Sequence, residues 1–249
     1  MKNITSLTHS FTKEIVKLRD NASARRTSGL CVVEGHRAIS TFIEAGIKLT
    51  TLVWTDSYQQ EIPEVAADVV KYMVSDEVMS KISSLQTPSG ILAVAKIPVP
   101  KAEITDGILL DNLQDPGNAG MLIRSAAACN QTTILKIGGV DVWSPKVVQA
   151  SAGAVALVSI HQIGIHDLPR IKKSKKLIAL VAHDGESFDT ADLSNSILIV
   201  GNEGKGISAE LLAISDMQVT LSMPGNTESL NAAAAGSIAM YVKYLKTRK

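Results

Sequence analysis

A chain of 249 residues fits one large domain or two small ones. Its 45% apolar content suits a packed core, no apolar run reaches the length of a membrane span, and a formal net charge of +1 gives no global signature of nucleic-acid binding. Two distant cysteines and five histidines without ligand spacing argue against a disulfide scaffold or a metal centre. The start, Met1–Ser6, lacks the apolar core of a secretory signal, so a reduced, cytoplasmic setting is expected.

The first hundred residues alternate in pattern. A helix is predicted near Thr12–Arg26, a strand over Leu30–Glu34, a helix over His36–Glu44 and a strand near Leu49–Trp54. A further helix near Glu64–Val70 precedes a strand at Tyr72–Val74. Asp76 can cap a short helix running through Ser84, and Ile91–Ala95 reads as a buried strand. The pattern is that of a small α/β sandwich. Over residues 1–37, Lys2, Lys13, Lys17, Arg19, Arg25, Arg26 and Arg37 oppose only Glu14, Asp20 and Glu34. Such a face can bind phosphates; a solvated amphipathic helix explains the same charges. Two prolines within Ile97–Glu103 break the alternation, so residues 1–97 are read as one domain, 98–106 as a linker and 107–249 as a second domain.

In the second half strands are predicted at Gly107–Leu113, Thr132–Ile137, Ala156–Ile160, Leu177–Ala182, Ile197–Gly201 and Gln218–Ser222, with helices between them and a last helix from about Leu230 to Lys246. Near-continuous apolar strands between helices imply a mainly parallel sheet covered on both faces.

Three segments there share a strand-to-polar-loop-to-helix design, the place where α/β proteins bind ligands. In the first, Asp115-Pro116-Gly117 reads as a turn, Asn118 can cap the following helix, and Arg124 sits in an otherwise apolar run. A charge in such a run calls for a partner, either Glu203 or a substrate phosphate. An exposed surface arginine is the plain alternative. In the second, Gly201-Asn202-Glu203-Gly204-Lys205-Gly206 allows close backbone approach to a ligand, or makes a tight turn. It has the spacing of neither a Walker loop nor a dinucleotide fingerprint. In the third, Ser229 can cap the last helix, and Ser229 and Asn231 flank Leu230 as in a pocket that joins an apolar wall to fixed hydrogen bonds.

Together these segments resemble the three motifs of the SpoU (TrmH) family of RNA ribose methyltransferases, within the SPOUT superfamily: Asn112–Ala126, Gly201–Ser208 and Ser222–Ala235, in the family's order and spacing across about residues 105–246. More loosely, Val33–Arg37 and Thr87–Val94 resemble the ribosomal-protein-L30e-like substrate-binding domain attached to ribosomal RNA members. Ala232–Ala235 departs from the family's usual Val-Ser-Val-Ala.

The resemblance implies an L30e-like α/β sandwich followed by a SPOUT α/β domain with a mainly parallel sheet and a deep trefoil knot. It also implies a homodimer with active sites at the subunit interface, and S-adenosylmethionine as methyl donor without a metal. By position Gly201, Leu221 and Leu230 match cofactor-contacting places, and Asn118, Arg124, Glu203, Ser229 and Asn231 match the characteristic polar set. Arg25, Arg26 and Arg37 are the expected phosphate contacts of the N-terminal domain. The implied reaction is methyl transfer to a ribose 2′-hydroxyl, most naturally in ribosomal RNA. Transfer RNA is the nearest alternative, and a non-catalytic RNA-binding or assembly factor on the same fold is another. Because guanidinium holds its proton at all ordinary pH, Arg124 is expected to orient the ribose–phosphate and stabilise oxyanion charge rather than act as a base.

Overall fold

The computed structural model describes residues 2–225 and 229–248; Asn226, Thr227 and Glu228 of the third motif lie outside the described residues. The chain packs as two compact units. One comprises residues up to Pro98 together with Asp141–Leu157, and the other Val99–Val140 with the residues from Val158 onward.

The first unit contains β1 (Lys2–Ile4), α1 (Ser10–Asp20), α2 (Ala22–Ser28), β2 (Leu30–Glu34), α3 (His36–Glu44), β3 (Leu49–Thr55), β4 (Val70–Val74), α4 (Asp76–Ile82) and β5 (Ile91–Lys96). Its sheet runs β1-β4-β3-β5-β2; β1, β4 and β3 are parallel, and β5 is antiparallel to both neighbours. The single helix expected over Thr12–Arg26 is two. Asn21 leaves helical geometry to end α1, and its side-chain oxygen accepts from Ala24 N at 3.1 Å to cap α2. Ser75, not Asp76, caps α4, its hydroxyl accepting from Val78 N. No helix forms at Glu64–Val70. Pro63 precedes the segment, three of its residues are β-branched valines, and Val70 already pairs with Thr51 as the first residue of β4. Phe11, Ile15 and Leu18 of α1 and Val78, Met79 and Ile82 of α4 pack on Val32, Val53 and Leu92 of the sheet.

The second unit begins with β6 (Gly107–Asp111), α5 (Pro116–Ala128) and β7 (Thr133–Ile137). The crossover after β7 then departs from the expected linear division. Its α6 (Pro145–Ala150) and a 3-10 turn over Ala154–Leu157 pack in the first unit, against β2 and α3. Arg25 fastens this segment. Its guanidinium, 4% exposed, pairs with Asp141 at 2.7 Å and donates to the carbonyls of Leu18 and Arg19. A strand therefore starts at Ser159, three residues later than the Ala156 expected, because Ala156 belongs to the turn.

The second unit continues with β8 (Ser159–Gln162), α7 (Leu168–Ile171), β9 (Lys176–Leu180), β10 (Glu186–Ser187), β11 (Ser196–Val200), α8 (Ala209–Ile214), β12 (Met217–Thr220) and α9 (Ala232–Thr247). Its seven strands run β10-β12-β9-β11-β6-β7-β8, parallel throughout. Leu168 and Ile171 of α7 and Leu211 of α8 cover one face, on Leu109, Leu177, Ile197 and Ile199. α5 and α9 pack against each other, and α9 also lies on β11. Gly236 permits that approach, since a Cβ there would overlap Leu122 of α5 and crowd Val200 of β11. Strand order reverses between β6 and β11: the chain leaves β6 toward β7 on one side and leaves β11 toward β12 on the other. The crevice beyond the carboxyl ends of such a pair is the usual ligand site of an open α/β sheet.

At the amino ends of β6 and β11, Lys243 of α9 has a side chain only 2% exposed. Its ammonium meets Asp106 at 3.0 Å and the Ser196 carbonyl at 2.6 Å, and Lys175 pairs with the other Asp106 oxygen at 2.7 Å. Burial pushes the Asp106 carboxyl up, but hydrogen bonds and charge from Lys175 and Lys243 outweigh it and hold it below the ordinary aspartate value. Its stabilising contribution is therefore present above the unfolded-state pKa and is lost as pH falls through the acidic range. Asp106→Asn leaves a buried ammonium uncompensated and should lower unfolding stability by roughly 2–4 kcal/mol, less than for a fully buried pair because Asp106 is partly exposed. Urea titration by far-ultraviolet dichroism checks this, and the gap from wild type should narrow below about pH 4.

Candidate active site

The loops after β6 and β11 lie side by side because their strands pair, Val200 opposite Leu110. Asp115 caps α5, its Oδ1 accepting from Asn118 N at 2.7 Å, with Pro116 at the first helical position. Asn118 was the expected cap. Proline at the first position has no N–H to be capped and puts the cap at the residue before it. The Asn118 side chain is thus free for another role. Its Nδ2 donates to Glu203 Oε1 at 3.0 Å, and its Oδ1 accepts from Asn231 Nδ2 at 3.1 Å. Asn231, rather than the expected Ser229, caps α9, its Oδ1 accepting from Ala233 N and Ala234 N. Asn231, Asn118 and Glu203 form one chain of side-chain hydrogen bonds across the three segments.

Glu203 sits on a tight hairpin. Asn202 and Gly206 exchange backbone hydrogen bonds of 2.9 Å, and Asn202 Oδ1 accepts from Gly204 N and Lys205 N. Asn202 Nδ2 donates to the Asn112 carbonyl, tying the hairpin to the loop after β6. Gly201 is required here, because a Cβ would collide with the backbone of Gly206 and Ile207. The Glu203 carboxylate also accepts from Gln114 N and Asp115 N, at 3.4 and 3.3 Å. Burial pushes its pKa up, but the hydrogen bonds from Asn118 and from backbone N–H groups outweigh it and set it below the usual glutamate value. Such a carboxylate is ionised near neutral pH and is a weak base.

A cavity of about 410 Å³ opens beyond the carboxyl ends of β9, β11 and β12. Gly201, Leu221 and Leu230, the three positions expected to touch a cofactor, all line it, with Glu203 and Ser229. Leu180–Ala182, Ile207 and Met223 line it too, and none was singled out from sequence. The end of β9 is far from all three motifs in the chain and reaches the cavity only because β9 lies beside β11. Asn202 was also missed as an organising residue, although it stands inside a matched motif. Ala232, where the sequence departs from the family pattern, and Ala235, where it agrees, place only methyl groups on the wall.

Arg124 is elsewhere than expected. α5 buries Ala119, Leu122, Ile123 and Ala126, whereas Met121, Arg124 and Ala128 make an exposed stripe. The run that reads as a buried helix has one open face, and Arg124 on it has no hydrogen-bonding or ionic partner among the described residues. Glu203 does not serve it, being held by Asn118 and backbone N–H groups. Arg26 and Arg37 are exposed on the first unit. Arg25 is corrected: its guanidinium is buried and saturated by Asp141 and two carbonyls, so it cannot meet an RNA phosphate.

Residues 107–241 match the SpoU rRNA Methylase family and residues 10–93 the MRM3-like substrate binding domain. A tRNA/rRNA methyltransferase of Synechocystis, itself uncharacterised, is 31% identical, over 96% of this chain and 92% of its own. The 23S rRNA (guanosine(2553)-2′-O)-methyltransferase RlmP of Bacillus subtilis is 28% identical over 97% of this chain and 98% of its own. Among solved structures, an AdoMet-bound rRNA methyltransferase from Sinorhizobium meliloti superposes with a TM-score of 0.84 at 26% identity, covering 100% of this chain and 99% of that one. With its three motif segments joined by side-chain hydrogen bonds around one cavity, the chain belongs to the SpoU rRNA methylase family.

Proposed function

We propose that this protein transfers a methyl group from S-adenosylmethionine to a ribose 2′-hydroxyl of ribosomal RNA. The observation that carries the reading is the Asn231–Asn118–Glu203 chain at the rim of the cavity beyond β9, β11 and β12. The cavity is of the size that small cofactors occupy, roughly 300–1,000 Å³, and its walls combine apolar side chains with a few fixed polar groups. Leu180, Leu221 and Leu230 offer apolar surface to an adenosine, and the backbone around Gly201 offers close hydrogen bonds. When bound, S-adenosylmethionine supplies a methyl group activated on a sulfonium. The match of residues 10–93 to a substrate binding domain, and the full-length likeness to RlmP, support ribosomal over transfer RNA.

Within this reading Glu203 is a positioning residue. It holds the loop after β6 and the first turn of α5, and its lowered pKa disfavours it as the group that takes the hydroxyl proton. Arg124 brings a free guanidinium with a planar donor fork suited to the ribose–phosphate and to developing oxyanion charge. Arg26 and Arg37 supply phosphate contacts on the first unit. The protein acts as a homodimer, for which the exposed apolar residues Met121 on α5 and Ile238 and Tyr241 on α9 provide surface. The partner then completes the site that Arg124 leaves open. An L30e-like first unit is supported by its five-stranded mixed sheet, and a trefoil knot by a sheet in which β12, β9, β11 and β6 are neighbours out of chain order. A cytoplasmic setting accords with the likeness to a bacterial 23S rRNA methyltransferase.

The direct test is incubation with labelled S-adenosylmethionine and total RNA from cells lacking the enzyme, then mapping of the modified nucleotide. Label in a ribosomal RNA ribose is the expected result. Label in transfer RNA would move the substrate, and no label on any RNA would favour a non-catalytic factor. Arg124→Lys keeps the charge and loses the fork; turnover should fall roughly 10²-fold with folding and cofactor affinity retained, and near-normal turnover would remove any guanidinium-specific role. Glu203→Gln should chiefly weaken cofactor binding by loosening the loops. A collapse in rate at unchanged cofactor and RNA affinity would instead make Glu203 the base.

A further inference from the structure

We infer that Lys205 is the cofactor's carboxylate-binding residue, its ammonium pairing with the carboxylate of the methionine moiety of the methyl donor. The inference rests on the cavity being the S-adenosylmethionine site. Among the residues described as lining it, only Glu203 and Lys205 carry charge. Glu203 has the wrong sign and is already engaged by Asn118, Gln114 and Asp115. Lys205 is the one cation in that lining, and its side chain has no hydrogen-bonding or ionic partner among the described residues.

Its place is nonetheless well defined. The backbone bonds between Asn202 and Gly206 close the hairpin beneath it, and Asn202 Oδ1 holds Lys205 N at 3.0 Å. The stem of the side chain therefore starts from a fixed point at the cavity, while the ammonium is left to find its own partner. S-adenosylmethionine brings one anionic group, its carboxylate, into a cavity walled largely by aliphatic side chains. An anion leaving water needs a counter-charge or donors to offset lost hydration. An RNA phosphate is a competing anion for an exposed lysine, but the cavity-lining position favours the group that enters the cavity. Removal of the ammonium leaves the hairpin intact, because every hydrogen bond named for Lys205 uses its backbone.

Calorimetric titration of the full-length protein with S-adenosylhomocysteine and with its decarboxylated analogue isolates the contact without requiring turnover. The wild type should bind S-adenosylhomocysteine about five- to tenfold more tightly than the analogue, as suits a charge-assisted contact at a partly exposed site, and the preference should shrink with added salt. Lys205→Met should abolish the preference while leaving affinity for the decarboxylated analogue unchanged, and Lys205→Arg should keep most of it. If Lys205→Met weakens both ligands equally, the residue shapes the hairpin and the inference fails. It fails also if Lys205→Met leaves S-adenosylhomocysteine affinity intact but flattens the salt dependence of ribosomal RNA binding, which would assign the ammonium to a phosphate. If the wild type binds neither ligand, the cavity is not the cofactor site, and the proposed function fails before Lys205 is tested.

Discussion

The site depends on the pairing of β6 with β11. These strands are distant in the chain, yet their register sets Leu110 opposite Val200, and so the loops that follow them begin at the same level. Only then can Glu203 on one loop accept from Asn118, Gln114 and Asp115 on the other, and Asn202 reach the Asn112 carbonyl. The third segment joins through Asn231, which caps α9 with its oxygen and grips Asn118 with its nitrogen. An asparagine can do both because its amide carries acceptor and donor together; an aspartate or serine at the same cap could not offer that NH₂. Helix capping and site assembly are thus one structural event at Asn231.

Electrostatics divides the polar set into two kinds of group. Glu203 is saturated by donors and held below its ordinary pKa, which suits it to fixing geometry rather than to taking a proton. Arg124 is the reverse: exposed on α5, without a partner among the described residues, and on one stripe with exposed Met121 and Ala128. An arginine so placed is ready for an anion from outside the chain, which accords with chemistry in which alignment and charge stabilisation, rather than a strong protein base, supply much of the rate. The Lys243–Asp106–Lys175 cluster lies at the amino ends of β6, β9 and β11, where it anchors α9. α9 begins at the site and ends at that anchor, so one helix links the stability of the unit to the placement of Asn231.

Much of the architecture was legible because strands here are short apolar runs bounded by turn residues, and the parallel sheet needs no more than that to announce itself. The misreadings have local causes. Thr12–Arg26 looks continuous because Asn21, a poor helix residue but a good cap, does not interrupt its apolar spacing. Glu64–Val70 has helical composition at its start, but Val70 pairs with Thr51 of β3, a long-range contact that no local pattern carries. Arg25 reads as part of a basic face and is buried against Asp141, more than a hundred residues away. Arg124 errs in the opposite sense: small and apolar residues surround it in sequence, yet a helix buries only one face.

The sequence by itself determined which residues are chemically special, since Asn118, Glu203, Asn231 and the glycines at Gly201–Gly206 stand out by type and spacing, and their order carries the family. It also determined the α/β class, because periodicity and turn chemistry are local properties. Only the tertiary structure decided what each residue does. Which asparagine caps and which bridges, which arginine is buried and which is free, and that the end of β9 walls the cavity all follow from strand pairing and helix facing. Those are relations between distant parts of the chain, set by burial of the whole core rather than by any segment within it.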